Sequence, residues 1–583
     1  MMCTSVHVLR SLKTSLFFVG VVVCAILTSC MRSEPLPQNT TIFYNEPDGV
    51  NTLDPAQLSY RASIWVGAQL FDGLVEVDSS MNIVPCLARS WDIDASAKTW
   101  TFHLRTDVIF HPDLCFGSAS ATRHMTAHDV RYSFERLCDA RTKSNGLWVF
   151  RDKIEGTLAF HEATKKALVG DTSLHIRGIR VVNDSTIQFK LTSPFAPFLA
   201  LLTMPYCYIV PHEAVTHYRE DFFKHPVGTG AFRFVQWNAD VELLLSRNEQ
   251  YFQRDAKGNT LPYMERVSIS FIRDTKAEFL QFRKKKLDFL SFTEPSFKAA
   301  LLTPSGKLRS EYKDVYTLLE APGFSTDYYG ILLDTTKNAA RKTPLAQFRT
   351  LRQALNYAID REKIVRYVMY NSGVPANFGF VPPGMPGFDS TLRGYKYNPV
   401  KAGKLLEEAG FPQGKGLPTL TLQIGQNQRS AAIAEAVQEQ WRSIGVNAVI
   451  KQVDFPQHLS MVRNGELSLW RTSWIGDYPD AENFFSLFYT NNIAPKGPNT
   501  TRYSNPRADS LYRMALSPLL TEKERFTLYH QLEQMIVNDA PWVFIFHSLN
   551  QRLAHSYLHG LTVDGLDTKL VLKTVRKDYS LDR

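Results

Sequence analysis

Between Ile433 and Val453 the chain passes from a helix straight into a strand, and a single glycine makes the junction. Ile433, Val437, Trp441 and Ile444 recur at helical spacing, Gly445 ends the run, and Val446 to Val453 reads as a strand. The preceding stretch repeats the logic. Asn398-Pro399 supplies an N-cap and an N1 proline, Ala402, Leu405, Leu406 and Ala409 form the apolar stripe, and Gly410 stops the helix. Phe348, Leu351, Leu355, Ala358 and Ile359 make a further helical face. Helix-glycine-strand units bury one face of each helix on a sheet, so the second half is constrained to an α/β architecture.

The first half is patterned differently. Trp100, Phe102 and Leu104 alternate on one strand face, as do Ile187, Phe189 and Leu191 after an Asn183-Asp184-Ser185 turn. Between them Thr126-Ala-His-Asp129 opens a helix in capping-box style, with the acid at N3. Trp91, Trp100 and Trp441 are expected in the core.

The start of the chain bears on its compartment. Arg10 and Lys13 precede an apolar run from Leu16 to Leu27, about a dozen residues, too short to cross a bilayer of roughly 30 Å as a helix. It reads as the h-region of a secretory signal, residues 1–29. The run ends in Leu27-Thr28-Ser29-Cys30, which resembles a bacterial lipobox with Cys30 as the lipid attachment site. Residues 30–40 then read as a tether. Loss of the first 29 of 583 residues leaves 554, too many for one hydrophobic core, so two or three lobes are expected. It also takes Arg10 and Lys13, lowering the formal charge from +9 to +7, a mild surplus that suits a solvated basic face. No later run of 18 apolar residues occurs. Cys86, Cys115, Cys138 and Cys207 remain, with disulfides permitted in an oxidising compartment and three full pairings open.

Catalytic and metal motifs fail on spacing. His212 and His217 are five apart where a zinc-protease helix needs four. Gly228-Thr-Gly230 has Arg233 at the third dinucleotide-binding position, and Gly410 to Lys415 lacks P-loop spacing. No Gly-x-Ser-x-Gly elbow or Cys-x-x-Cys pair is present. His103, His111, His124 and His128 have no fixed ligand spacing and are expected as surface histidines. No cofactor and no nucleic-acid partner is expected.

Eleven blocks, in order, do form a pattern. They are Asn51-Thr-Leu-Asp-Pro55, Leu70-Phe-Asp-Gly-Leu74, Pro85-Cys-Leu-Ala-Arg-Ser-Trp91, Thr101-Phe-His-Leu-Arg105 with Phe110-His111, and Thr126-Ala-His-Asp-Val130. Gly228-Thr-Gly-Ala-Phe-Arg233 with Arg247-Asn248, Phe348 to Asp360, Ala402 to Phe411 and Trp474-Ile-Gly-Asp477 complete the set. Together they make the chain resemble the oligopeptide/dipeptide-binding type of extracellular solute-binding protein that serves ABC importers. Two departures stand out: a long insert from Pro112 to Met125, and Ala481 where a proline usually follows Asp480.

The resemblance implies two α/β lobes joined by crossing strands, in a two-lobed periplasmic-binding-protein fold with a β-rich insert in the first lobe. Lobe 1 would comprise 41–72, 206–318 and 541–583, its insert 73–205, and lobe 2 319–540. It implies a non-catalytic, monomeric, lipid-anchored protein on the extracytoplasmic face. Hinge closure would trap a peptide and deliver it to permease subunits. Relatives of that fold take nickel complexes, haem or oligosaccharides, and a periplasmic hydrolase or an adhesion or sensing lipoprotein are the rivals from other classes.

The resemblance gives Asp477 the α-amino group of the ligand and makes Trp474 a pocket wall, with Gly476 or Tyr478 contributing backbone. Arg471 would meet a ligand carboxylate or else form a salt bridge. Tyr60 would lie on the opposite wall or pack there. Asp480 is expected in a turn or facing solvent.

Overall fold

Strand alternation in the first half becomes a four-stranded antiparallel sheet in the order Ala88–Ile93, Thr99–Leu104, Thr186–Lys190, Ile179–Asn183. The computed structural model describes residues 36–168, 173–567 and 569–579. Trp100 pairs with Phe189 and Phe102 with Ile187, so all the apolar residues point to one side. The helix Ala127–Cys138, with the capping box between Thr126 and Asp129 in place, covers that side. Its Phe134 ring lies 4.9 Å from Phe150 and 5.3 Å from Phe189. Trp100 and Trp441 are fully buried, but Trp91 is only half-buried. Its strand is the edge of the sheet, so one flank of the indole lacks a neighbouring strand and only the Phe102 side is covered.

A second four-stranded sheet runs Thr41–Asn45, Arg266–Ser270, Glu242–Arg247, Phe232–Asn238. The Gly228-Thr-Gly230 turn beside it has a packing reason for its glycines. A Cβ on Gly228 would fall 2.1 Å from the Leu70 carbonyl oxygen, and one on Gly230 2.4 Å from that of Gln69. His111, expected on the surface, is buried in this contact with its Nε2 2.9 Å from the Gly230 carbonyl oxygen. Burial pushes its pKa down to about 4, so it is a neutral packing residue.

The third sheet has seven strands and is mixed. Its spine is an antiparallel pair of long strands, Tyr316–Ile331 and Trp542–His555, paired from Tyr316↔His555 to Gly330↔Trp542 with register shifts between Pro322 and Thr326 and between Asp327 and Tyr328. One end of the pair meets Phe289–Ser291 and the other meets Leu469–Ile475, so the two strands cross from one half of the molecule to the other. Beyond them Leu420–Gly425 lies parallel to Ala448–Val453, with the helix Gln428–Arg442 as the crossover. Trp441 on that helix donates its indole N–H to the Leu355 carbonyl at 3.0 Å. Gly445 takes φ +89° and the strand begins at Ala448, two residues later than its pattern suggests.

The insert Pro112 to Met125 folds back beside the helix Ala127–Cys138 through the bridge Ile109↔His124. Arg123 pins it: the guanidinium binds Asp129 at 2.7 and 2.8 Å and Glu213 at 2.6 Å. Cys86, Cys115, Cys138 and Cys207 are all free thiols, so none of the three permitted pairings is made. The expected signal and Cys30 lie outside the described residues. Among the described residues no helix is long and apolar enough to cross a membrane.

Candidate functional site

The strand Leu469–Ile475 ends beside the crossing strand Tyr316–Ile331, and the Gly476 N–H closes the junction by donating to the Phe324 carbonyl at 2.6 Å. A Cβ at Gly476 would meet Met385 Cε at 2.8 Å, so the chain turns here with little room to spare. The turn delivers the next residue, Asp477, into a cavity of about 580 Å³. That cavity draws its other walls from far away in the sequence: Glu76, Tyr208, Glu320, Asp564, Lys569 and Lys573 all contribute.

Asp477 is exposed to the cavity yet ringed by protein. Burial pushes its pKa up to about 6, partly offset by a hydrogen bond from the Asn483 side chain. Asn483 is itself set by Trp474, whose half-buried indole N–H donates to Asn483 Oδ1 at 2.7 Å. Trp474, Asn483 and Asp477 thus form an orienting chain. Among the described residues no cation lies within ion-pair distance of the Asp477 carboxylate.

The neighbouring acids are satisfied. Asp480, expected in a turn or facing solvent, does accept the Glu482 N–H at 2.9 Å, but it is buried and ion-paired with Arg525. Tyr529 Oη adds a hydrogen bond at 2.8 Å. Arg525 and Tyr529 are one turn apart on the helix Glu522–Asp539, so both reach the same carboxylate. Glu482 is buried and accepts from the hydroxyls of Tyr478 and Tyr512. Tyr478 is buried too and packs with the core formed mainly by the first half of the chain.

Arg471 points elsewhere. It donates to Asp327 and, at 2.6 Å, to Ser430 Oγ, and it is not among the residues lining the cavity. Asp327 is buried, which pushes its pKa up to about 6 against the lowering effect of Arg471. Tyr60 is 65% exposed at the start of the helix Arg61–Leu70 and does not line the cavity either.

Sequence reasoning missed Asn483, Glu76, Lys569 and Lys573. Asn483 lies six residues past Asp477 with no motif of its own. Lys569 reaches Glu76 across 493 positions, a separation that no local pattern encodes.

For chemistry, the described residues give one group with metal-like proximity, Asp129, His212 and Glu213. The Arg123 guanidinium already bridges both of its carboxylates, so that charge is neutralised by the protein itself.

Comparison with known proteins agrees with this arrangement. The model of the bacterial extracellular solute-binding proteins, family 5 Middle, matches residues 82–496. The dipeptide-binding protein of Escherichia coli K12 is 28% identical over 540 residues, covering 90% of this chain and 92% of the relative. Heme-binding protein A of Haemophilus influenzae is 30% identical over 533 residues, with 87% and 88% covered. The unliganded open form of the murein tripeptide-binding protein MppA superposes with a TM-score of 0.77 at 23% identity, covering 93% of this chain and 98% of that one. DppA from Helicobacter pylori in complex with the peptide STSA gives 0.65 at 22% identity, covering 93% and 99%.

Proposed function

The chain belongs to the family 5 bacterial extracellular solute-binding proteins, and from that membership we propose that it captures short peptides, with Asp477 receiving the α-amino group. It is a non-enzymatic, extracytoplasmic binding component of an ABC importer. The single observation that carries the peptide reading is the Asp477 carboxylate, unpaired among the described residues, facing a cavity of about 580 Å³. An ionised group surrounded by protein is costly without a partner. A ligand ammonium supplies that partner, and the Asn483 contact holds the carboxylate ready for it.

Relatives named for a dipeptide and for haem both cover most of the chain, so the site has to choose between them. The cavity walls include five carboxylates, Glu76, Asp78, Glu320, Asp477 and Asp564, against Lys569 and Lys573. Such a lining favours an amine over the two carboxylates of haem. A cavity of about 580 Å³ is within the usual range for a small ligand.

On this proposal the lobes are 41–72, 206–318 and 541–583 for the first, with the insert 73–205, and 319–540 for the second. The two four-stranded sheets lie in the first-lobe and insert spans, and the seven-stranded sheet has strands from both proposed lobes. Cys30 would carry the lipid and the loaded monomer would dock on the permease. Ligand capture shifts an open-closed equilibrium because only the closed form touches the ligand from both sides. Native mass spectrometry of the protein as purified tests the ligand class. Bound masses that fragment into peptide ladders are expected; a haem, nickel-complex or saccharide mass in their place would overturn the proposal.

A further inference from the structure

A peptide has two charged ends, and Arg471, the residue whose position suggests a carboxylate partner, is engaged by Asp327 and Ser430 away from the cavity. The cavity holds two other cations. Lys573 Nζ is fully used: it donates to Glu76 Oε2 at 2.9 Å, Glu76 Oε1 at 3.2 Å and Gln253 Oε1 at 2.6 Å. Lys569 Nζ donates to Glu76 Oε2 at 3.0 Å and to nothing else among the described residues. A lysine ammonium has three N–H donors, so two of those on Lys569 are open on a cavity wall.

The remaining acids of the cavity do not take them. Asp78 accepts from the backbone of Ser80 at 2.8 Å and of Asn82 at 2.9 Å. Glu320 accepts from Gln551 Nε2, and Asp564 from the Asp567 N–H at 2.9 Å. Glu76, meanwhile, is clamped by both lysines and by Gln253 Nε2 at 2.9 Å, so it fixes where the Lys569 ammonium sits. Burial opposes the charge on Lys569, but Glu76 beside it outweighs that and holds its pKa above the ordinary lysine value. The group is therefore a positioned cation with unused donors, in the same cavity as an unpaired carboxylate.

We propose that Lys569 is a ligand-binding residue that receives the peptide's terminal carboxylate, while Asp477 receives its amine. The inference rests on the peptide reading above. It makes the cavity a zwitterion site, with both charged ends of a short peptide bound within it.

Calorimetry with alanine di- to tetrapeptides, each also as the N-acetyl form and the C-terminal amide, tests it. The native chain should bind the free acid roughly ten- to a hundredfold more tightly than the amide. Lys569→Met should abolish that gap and keep the gap between free and acetylated N-termini. Lys190→Met, at an exposed lysine outside the cavity, should keep both gaps, and near-UV circular dichroism confirms that each variant is folded. Acid and amide binding equally to the native chain, or a gap that survives Lys569→Met, would overturn the assignment and leave the amine site standing. Failure of every free peptide to bind would remove both proposals together.

Discussion

Asp477 and Asp480 are three residues apart and fold into opposite electrical situations. Asp480 is buried against Arg525, Tyr529 and a backbone N–H, and every strong acceptor site it has faces a donor of the protein. Asp477 has one side-chain amide and an open cavity, and burial pushes its pKa up to about 6. The first carboxylate holds the turn in place. The second follows the turn and faces the cavity with no cation beside it among the described residues. The difference shows that a carboxylate's role here follows from which long-range element reaches it, not from its immediate neighbours in sequence.

Breaking the satisfied member should give the largest loss of stability. Asp480→Ala leaves the half-buried Arg525 guanidinium without its partner, a change that costs about 3 kcal/mol. Denaturant midpoints should fall accordingly, and peptide affinity measured on the remaining folded protein should change much less. If affinity fell and stability held, Asp480 would be a ligand residue and the contrast would dissolve.

Arg471→Met sharpens the same contrast on the other side of the strand. It strands the buried Asp327, so a stability loss of about 3 kcal/mol is expected, again with the larger effect on folding. Urea unfolding beside calorimetry separates the two roles; an affinity loss without destabilisation would assign Arg471 to the ligand.

The pH dependence of binding follows from Asp477 with a definite sign. An amine needs the ionised carboxylate, so affinity should rise roughly tenfold between pH 5 and pH 7 as the group titrates near 6. Above that range it should level off until the ligand amine itself deprotonates. A flat profile from pH 5 to 7 would show that the Asp477 charge does not act on the ligand.

The smallest effect is on the stability of the empty protein. The folded pKa of Asp477 lies above its unfolded value, so the folded form holds the proton more tightly. The ionised form therefore costs stability, a cost absent below about pH 4 and complete above about pH 7. Asp477→Asn should accordingly stabilise the empty protein at neutral pH by on the order of 1 kcal/mol or less, after allowance for its exposure to water. Thermal unfolding at pH 3 and 7.5 checks it, and the gain should appear only at the higher pH.

Much of the scaffold was legible because it is local. The Asn398 cap, the Gly445 stop and the alternation around Trp100 and Phe189 each act within a few residues of themselves. The fold of the whole came from the ordered family blocks, and the reading of Asp477 with Trp474 rests on the same blocks. What was not legible is non-local. Asp480 is buried because a helix 45 residues later brings Arg525 to it. Trp91 is half-buried because its strand is at a sheet edge, and His111 is buried because a glycine turn more than a hundred residues on closes over it. Lys569 meets Glu76 only because the fold brings together residues 493 positions apart.

The central claim is that Asp477 is kept unpaired for an amine. Titrating trialanine and N-acetyl-trialanine into the native chain and into Asp477→Asn, by calorimetry at pH 7.5, tests it most directly. The native chain should prefer the free amine by about a hundredfold or more, and the variant should lose that preference while binding the acetylated peptide much as before. An equal loss for both peptides, or a preference that survives the substitution, would contradict it.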